Sequence, residues 1–485
     1  MRWLLVAGVA TVVSLVFASS ALARTFTVTR ADDPTPPASN PCQVGDCSLR
    51  EAVLAADGHP GADTIDFASS LSSETIDLVL GEIRIRRELA ITGPGASKLS
   101  VSAGQQSRIF HMTRGDITIQ GLTIRDGREA ATPTGPACPD TSAPVFTHGG
   151  GILQDKGDLR LDHVKLRNNA VNSASGGIIG GGGIANIDGT LVVTHSRLTR
   201  NDVDGGAISS GGGILNCVGI VKLNRTTVDN SSVSSEAIGS GGGVANGEGA
   251  AHDTGRLNLK ESAIELNNVS SEAISEAGGL STSGGPVKVN QSTINDNSAT
   301  VIGGGSIADG GGIEIANATA KFINSTIANN LAIAPNAAGG GFAVGGTDAK
   351  LILRSVTLAN NISDGTSTER GGNLAGAEFA NLRNTIVAKG KATTGSNCDG
   401  SVKATRHDLE DENTCGFDGA GDRVNKNPRL RDLAQNGGPT RTMALKRDSP
   451  AINHASRKSS PNRDQRGFKR DDKPDIGAYE FGAKP

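Results

Sequence analysis

Gly181-Gly182-Gly183-Ile184-Ala185-Asn186-Ile187-Asp188-Gly189-Thr190-Leu191-Val192-Val193-Thr194-His195-Ser196-Arg197-Leu198-Thr199-Arg200-Asn201 is a stretch that the chain repeats on both sides. The glycine run closing on one apolar residue recurs before Ile152, Ile214, Val244, Leu280, Ile313 and Phe342. A second apolar column runs Leu166, Leu198, Val228, Ile264, Ile294, Ile327, Leu358 and Ile386, in steps of 28 to 36 residues. A third runs Phe146, Ile178, Ile208, Ile274 and Ile307. Such a fixed period marks a solenoid, in which one coil buries its apolar columns against the next. Between the columns, Leu191-x-Val193 and Val221-x-Leu223 alternate by two, as half-buried strands do. Three anchors with variable joints imply three short strands per coil. One 36-residue step sets its extra residues near Gly249 to Thr254.

Asn169, Asn201, Asn267, Asn297, Asn330 and Asn361 each stand three residues after the second column, with Asn230 one early. Asn tolerates the left-handed region, so the reading is a repeated tight corner whose stacked amides form a ladder. Strands that always turn the same way build a right-handed coil. The fold expected is therefore all-β, a single right-handed parallel β-helix. Ser48-x-x-Glu51 adds a capping box for a short helix, Leu49 to Ala56, over the first coil.

Outside the repeat, Arg2, the apolar run from Leu4 to Ala18 and Ala21-Leu22-Ala23 read as a secretory leader cut before Arg24. No later stretch is long and apolar enough to span a bilayer. The expected destination is extracellular or the outer cell surface, with the periplasm as the alternative. In such compartments cysteines pair, and Cys42 with Cys47 and Cys398 with Cys415 are the local candidates. Cys138 and Cys217 stay open, paired or free. The net charge of −3 hides a basic stretch from Arg423 to Lys473, with 14 Lys and Arg against 5 Asp and Glu. The remaining body is acidic, which argues against nucleic acid as a partner. The basic stretch is read as a solvated end or as one docked on that body.

Cys47-Ser48-Leu49-Arg50-Glu51-Ala52 closely resembles the CSLREA motif of bacterial surface β-helix proteins. Asp63 to Phe67, Ile91 to Gly95 and Ile117 to Ile124 fit the same family. The glycine-rich repeats are similar to those of polymorphic outer-membrane proteins. Asn436 to Thr440, Ser449 to Ile452, Asp464 to Gly467 and Asp475 to Glu480 resemble the choice-of-anchor domain that ends many such proteins. The resemblance implies a secreted, pectate-lyase-like β-helix. The divisions expected are a leader at 1–23, a cap region at 24–82, the β-helix at 83–390 and a choice-of-anchor-like region at 391–485.

Chemistry is sparse at this level. The outward column three before the anchor reads His163, His195, Arg225, Glu261, Gln291, Asn324 and Ser355, with one acid. His163 and His195 read as a solvated surface pair. Asp202 with Asp204 and Glu261 with Glu265 are local pairs that no second coil repeats. The single Trp and the single Tyr, Trp3 and Tyr479, lie outside the coils, so sugar stacking has few aromatic faces. No catalytic residue, cofactor or metal ligand is assigned. The function expected is a monomeric structural or adhesive rod that binds a cell-surface or matrix glycan or protein. The alternative is an extracellular lyase or glycoside hydrolase of acidic polysaccharide, for which alone calcium would be needed.

Overall fold

The computed structural model describes residues 23–37, 39, 41–130, 138, 145–147, 149–173, 176–247, 255–304 and 306–485, without the side chains of 130 and 145–147. All but the last residue of the leader, and the extra stretch near 249–254, lie outside the described residues.

In the coils between Arg128 and Arg370 this right-handed parallel β-helix walks through four sheets, while its first and last coils use only two of them. Ile184–Thr194 runs in a wide sheet and Arg197–Thr199 in a side sheet. Asp202–Asp204 then leaves the barrel in an outgoing sheet, Ile208–Ser210 comes back in a returning sheet, and Ile214–Asn216 re-enters the wide sheet. Every step pairs in parallel with the next coil: Leu191 with Val221, Leu198 with Val228, Val203 with Val233 and Ile208 with Ile238. The parallel ladder starts where Thr25–Val28 meets Asp63–Phe67 and still holds where Ile386–Ala388 meets Leu409–Glu410.

The core is the inward side of the wide and side sheets. Ile184, Leu191, Val193 and Leu198 stack on Ile214, Val221, Leu223 and Val228, all at most 1% exposed. Each such side chain contributes about 1.5–3 kcal/mol by leaving water. Phe322 packs edge-on against Phe342 of the next coil, centroids 5.0 Å apart. A second, thinner core lies between the outgoing and returning sheets, where Val171, Val203, Val233, Val269 and Ile179 meet.

That second lobe corrects the three-strand coil. The stretches 170–180, 231–240 and 362–370, which look like irregular loops in sequence, are mostly these two sheets. It also corrects the third column. Ile178, Ile208, Ile274 and Ile307 are half-buried on the outer side, while Ile179, Ser209, Ser275 and Ala308 point inward. In a three-residue strand only the middle side chain faces in, and here that position tolerates Ser because the lobe is narrow. At the last step Leu358 pairs with Val387, not Ile386. Both residues are aliphatic, so composition cannot set the register.

The helix spans Leu49–Gly58, and its capping box is present: Ser48 N–H donates to Glu51 Oε2 at 2.7 Å, and Glu51 N–H to Ser48 Oγ at 3.3 Å. It buries Leu49, Ala52, Val53 and Ala56 and packs over the first strands of the wide sheet. At the other end the basic stretch docks on the outer side of the side sheet. Ala328, Ala359, Ile386 and Ala388 receive Leu430, Met443, Leu445, Ala451 and Ile476. Gln465 Nε2 donates to Thr293 Oγ1 at 2.9 Å, and its Oε1 accepts from Thr326 Oγ1 at 2.6 Å. Arg441 pairs with Glu265 at 2.7 Å and Asp296 at 3.3 Å.

Candidate functional site

The glycines and the asparagines of the repeat serve one feature, the neck of the second lobe. A Cβ on Gly182 would lie 2.6 Å from the Gly212 carbonyl oxygen, and one on Gly183 would lie 3.1 Å from Asn201 Cγ. Only glycine lets the incoming chain pass this close to the outgoing one. Asn169, Asn201, Asn267, Asn297, Asn330 and Asn361 are all buried there. Asn297 Nδ2 donates to Asn330 Oδ1 at 3.0 Å, and Asn330 Nδ2 to Asn361 Oδ1 at 2.9 Å. Their oxygens also accept the backbone N–H of the preceding coil. The left-handed residue of this corner is the one before: Asn168, Arg200, Asn230, Leu266, Asp296, Asn329 and Asn360 have φ of 51° to 59°. The ladder asparagines are thus selected by their amides, not by their φ. Asn230 belongs to the left-handed column, and Ser231 takes the ladder place in its coil, accepting from Asn201 N–H at 3.3 Å.

Cys42 is joined to Cys47, Cys398 to Cys415 and Cys138 to Cys217. The last bond sets Cys138 against Leu215 and Ala245. Those residues belong to an outward column of the wide sheet, Leu153, Ala185, Leu215, Ala245, Ser281, Glu314, Ala343 and Ala375. The column forms one wall of a groove that runs along the axis. The other wall is the last residue of each returning strand: Gly180, Ser210, Ser240, Glu276, Asp309, Ala338 and Arg370. Aliphatic side chains and Cys138 fill it in the early coils, and it opens in the late ones.

The open part is a cavity of about 240 Å³ lined by Asp309, Glu314, Arg370, Glu378 and Asp399, on a floor of small residues that includes Ala343, Gly345 and Ala375. Four carboxylates therefore meet one guanidinium. Arg370 Nη1 lies 3.4 Å from Asp399 Oδ2, and Ser281 Oγ donates to Glu314 Oε2 at 3.0 Å. Burial raises the Asp309 carboxyl above its ordinary value, and the charge of Arg370 pulls the other way. These groups escape a search of the sequence because they are spread over several coils. The signal for two of them is position: Asp309 replaces the Ser or Gly found just before the glycine run, and Glu314 stands two residues after it ends.

The acids singled out in sequence are occupied elsewhere. Asp202 accepts from Ser232 N–H and Oγ–H at 3.1 and 2.8 Å. Glu261 pairs with Arg225 at 2.6 Å and Glu265 with Arg441 at 2.7 Å. A further cluster closes the groove face near the helix end. His111 Nδ1 is 3.3 Å from Glu82 Oε1, and its Nε2 is 2.9 Å from Asp155 Oδ2. Burial opposes the charge on both groups, but the hydrogen bond to His111 and the charge of Arg108 hold Glu82 at about 2, and hydrogen bonds to Asp155 and Glu82 keep His111 above its ordinary value. This is an ion network that ties three coils together.

No family model matches the chain, and no curated protein does. Solved structures similar to it include the crystal structure of pectate lyase Pel9A, at 12% identity over 95% of this chain and 97% of that one, TM-score 0.47. Another is the complex structure of XylC with xylose, at 8% identity over 94% and 98%, TM-score 0.45. At these identities the likeness is one of chain course.

Proposed function

We propose that this chain is a secreted or cell-surface binding rod that takes a polysaccharide lengthwise in the acidic groove, in a structural or adhesive role. The observation that carries the reading is the open segment lined by Asp309, Glu314, Arg370, Glu378 and Asp399. Carboxylates and a guanidinium accept from and donate to several hydroxyls at once, and the small floor lets a sugar ring sit close. The coils repeat every ~4.8 Å, so a linear glycan meets equivalent backbone at each step. A neutral or amino-sugar chain suits the charge directly.

The test is binding of a neutral hexan, an amino-sugar polymer and a polyuronate, the last with and without calcium, by calorimetry. Saturable binding to one class is expected, weakened about tenfold or more by Arg370→Ala and by Glu314→Ala. Wild-type protein that binds no member of the panel would overturn the reading.

One observation favours a second reading, an extracellular glycoside hydrolase or lyase. Burial raises Asp309 against the pull of Arg370, the direction in which a general acid's value is shifted. Calcium enters only on the lyase reading, held by the groove carboxylates. New reducing ends or unsaturated uronates released by wild type and abolished in Asp309→Asn would make the protein an enzyme.

A further inference from the structure

From His163 to Asn384 the corner between the wide sheet and the side sheet turns on a left-handed residue in each coil. In two successive coils that residue is His163 and His195, with φ of 52° and 47°. Their rings stack with centroids 4.8 Å apart. Both turn Nδ1 toward one carboxylate: His163 Nδ1 lies 3.0 Å from Asp162 Oδ2, and His195 Nδ1 lies 3.4 Å from Asp162 Oδ1. The corner column continues with Arg225, Glu261, Gln291, Asn324, Ser355 and Asn384. The column just before it reads Asp162, Thr194, Asn224, Lys260, Asn290, Ile323, Arg354 and Arg383. Its one acid thus stands beside the two histidines. Among the described residues no other three His, Cys, Asp or Glu side chains gather so closely, each offering a ligand atom within 4.8 Å of the others.

We infer that Asp162, His163 and His195 form a site for a borderline-soft divalent metal ion such as zinc(II) or cobalt(II). The ion lies between the two imidazole Nδ1 atoms and the Asp162 carboxylate, so two neutral imidazoles and one carboxylate oxygen become its ligands. That donor set suits zinc and its neighbours, whereas calcium and magnesium prefer oxygen alone. Side-chain rotation brings the three atoms to bonding distance, because all three residues are at the surface, with side chains 40% to 66% exposed. The flanking cleft of about 600 Å³ carries Lys165, Arg197 and Arg225. Arg197 is paired with Asp229 and Arg225 with Glu261, each at 2.6 Å, so two of the three cations are already balanced. The ion links Asp162 and His163 in one coil to His195 in the next, and its open positions face the cleft, where an anionic group is the matching ligand.

The test is titration of the untagged full chain with zinc(II) by calorimetry and with cobalt(II) by visible absorption. One equivalent is expected to bind in the micromolar range, with nitrogen-type cobalt bands and a rise in melting temperature; excess calcium or magnesium should not displace it. His163→Asn and His195→Asn keep the corner foldable, since Asn324 and Asn384 occupy the same place in other coils. Each should weaken binding by about tenfold or more, and Asp162→Asn by a similar factor. Absence of stoichiometric zinc binding to wild type, or an unchanged site in the doubly substituted chain, would overturn the assignment. The readout is the metal itself, so it stands or falls apart from glycan binding in the groove.

Discussion

At the scale of single residues, the repeat is held by side chains chosen for what they donate and accept. Asn330 is the clearest case. Its Oδ1 accepts from the Asn297 N–H at 3.1 Å and from Asn297 Nδ2, while its own Nδ2 serves the Ile294 carbonyl at 3.1 Å and Asn361. Asn330→Ala strands at least one backbone donor in the neck, so a loss of about 3 kcal/mol in unfolding free energy is expected from denaturant titration. A loss below about 0.5 kcal/mol, the range of ordinary surface changes, would mean the ladder is incidental. A second ladder, from Asn186 to Asn216 and Asn246, each link 2.7 Å long, is as regularly spaced. In sequence it is hidden, because Asn two residues beyond the anchor looks like ordinary loop composition.

At the scale of elements, the docked basic stretch carries a pH dependence. Burial, and then the charge of Glu480, push Asp475 up to about 7. Glu480 itself is raised, chiefly by burial. A carboxyl with a raised folded value binds its proton more tightly in the folded state. Stability from Asp475 is therefore full below pH 3.8 and is lost as pH rises through about 7. Amide exchange in residues 423–481 should be slower at pH 5 than at pH 8 after correction for intrinsic rates, and Asp475→Asn should flatten that difference. Protection that instead grows with pH would contradict the assignment. In sequence the same element shows as a charge imbalance and as motifs resembling a choice-of-anchor domain, with a solvated end and a docked one both open. Docking needed the apolar outer face of Ala328, Ala359, Ile386 and Ala388, which exists only once the side sheet has formed.

At the scale of the whole molecule, the rod is a stack of near-neighbour contacts, and among the described residues no strand pairing joins distant coils. Its ends are the weak points, and each has a cover: the helix Leu49–Gly58 at one, and the last disulfide with the docked stretch at the other. Deletion of residues 423–485 should leave the parallel sheets formed but expose Ile386 and Leu409, both fully buried in the full chain. The expected outcome is a retained far-ultraviolet β spectrum with self-association in light scattering. A monodisperse, fully stable fragment would show that the cover contributes little.

Coil, handedness and period were readable without coordinates, because stacking repeats the same contact every 28 to 36 residues and repetition averages out local ambiguity. The second lobe and the groove beside it were not. Each of the lobe's two strands turns a single residue per coil inward, and in the returning strand it is often Ser or Ala, too faint to register as a strand. The groove is made of single charged residues: Asp309 and Glu314 flank one glycine run, but they meet Arg370, Glu378 and Asp399 only through coils stacked in space. What repeats along a chain is written in it; what converges across coils exists only after folding brings separate positions to one place.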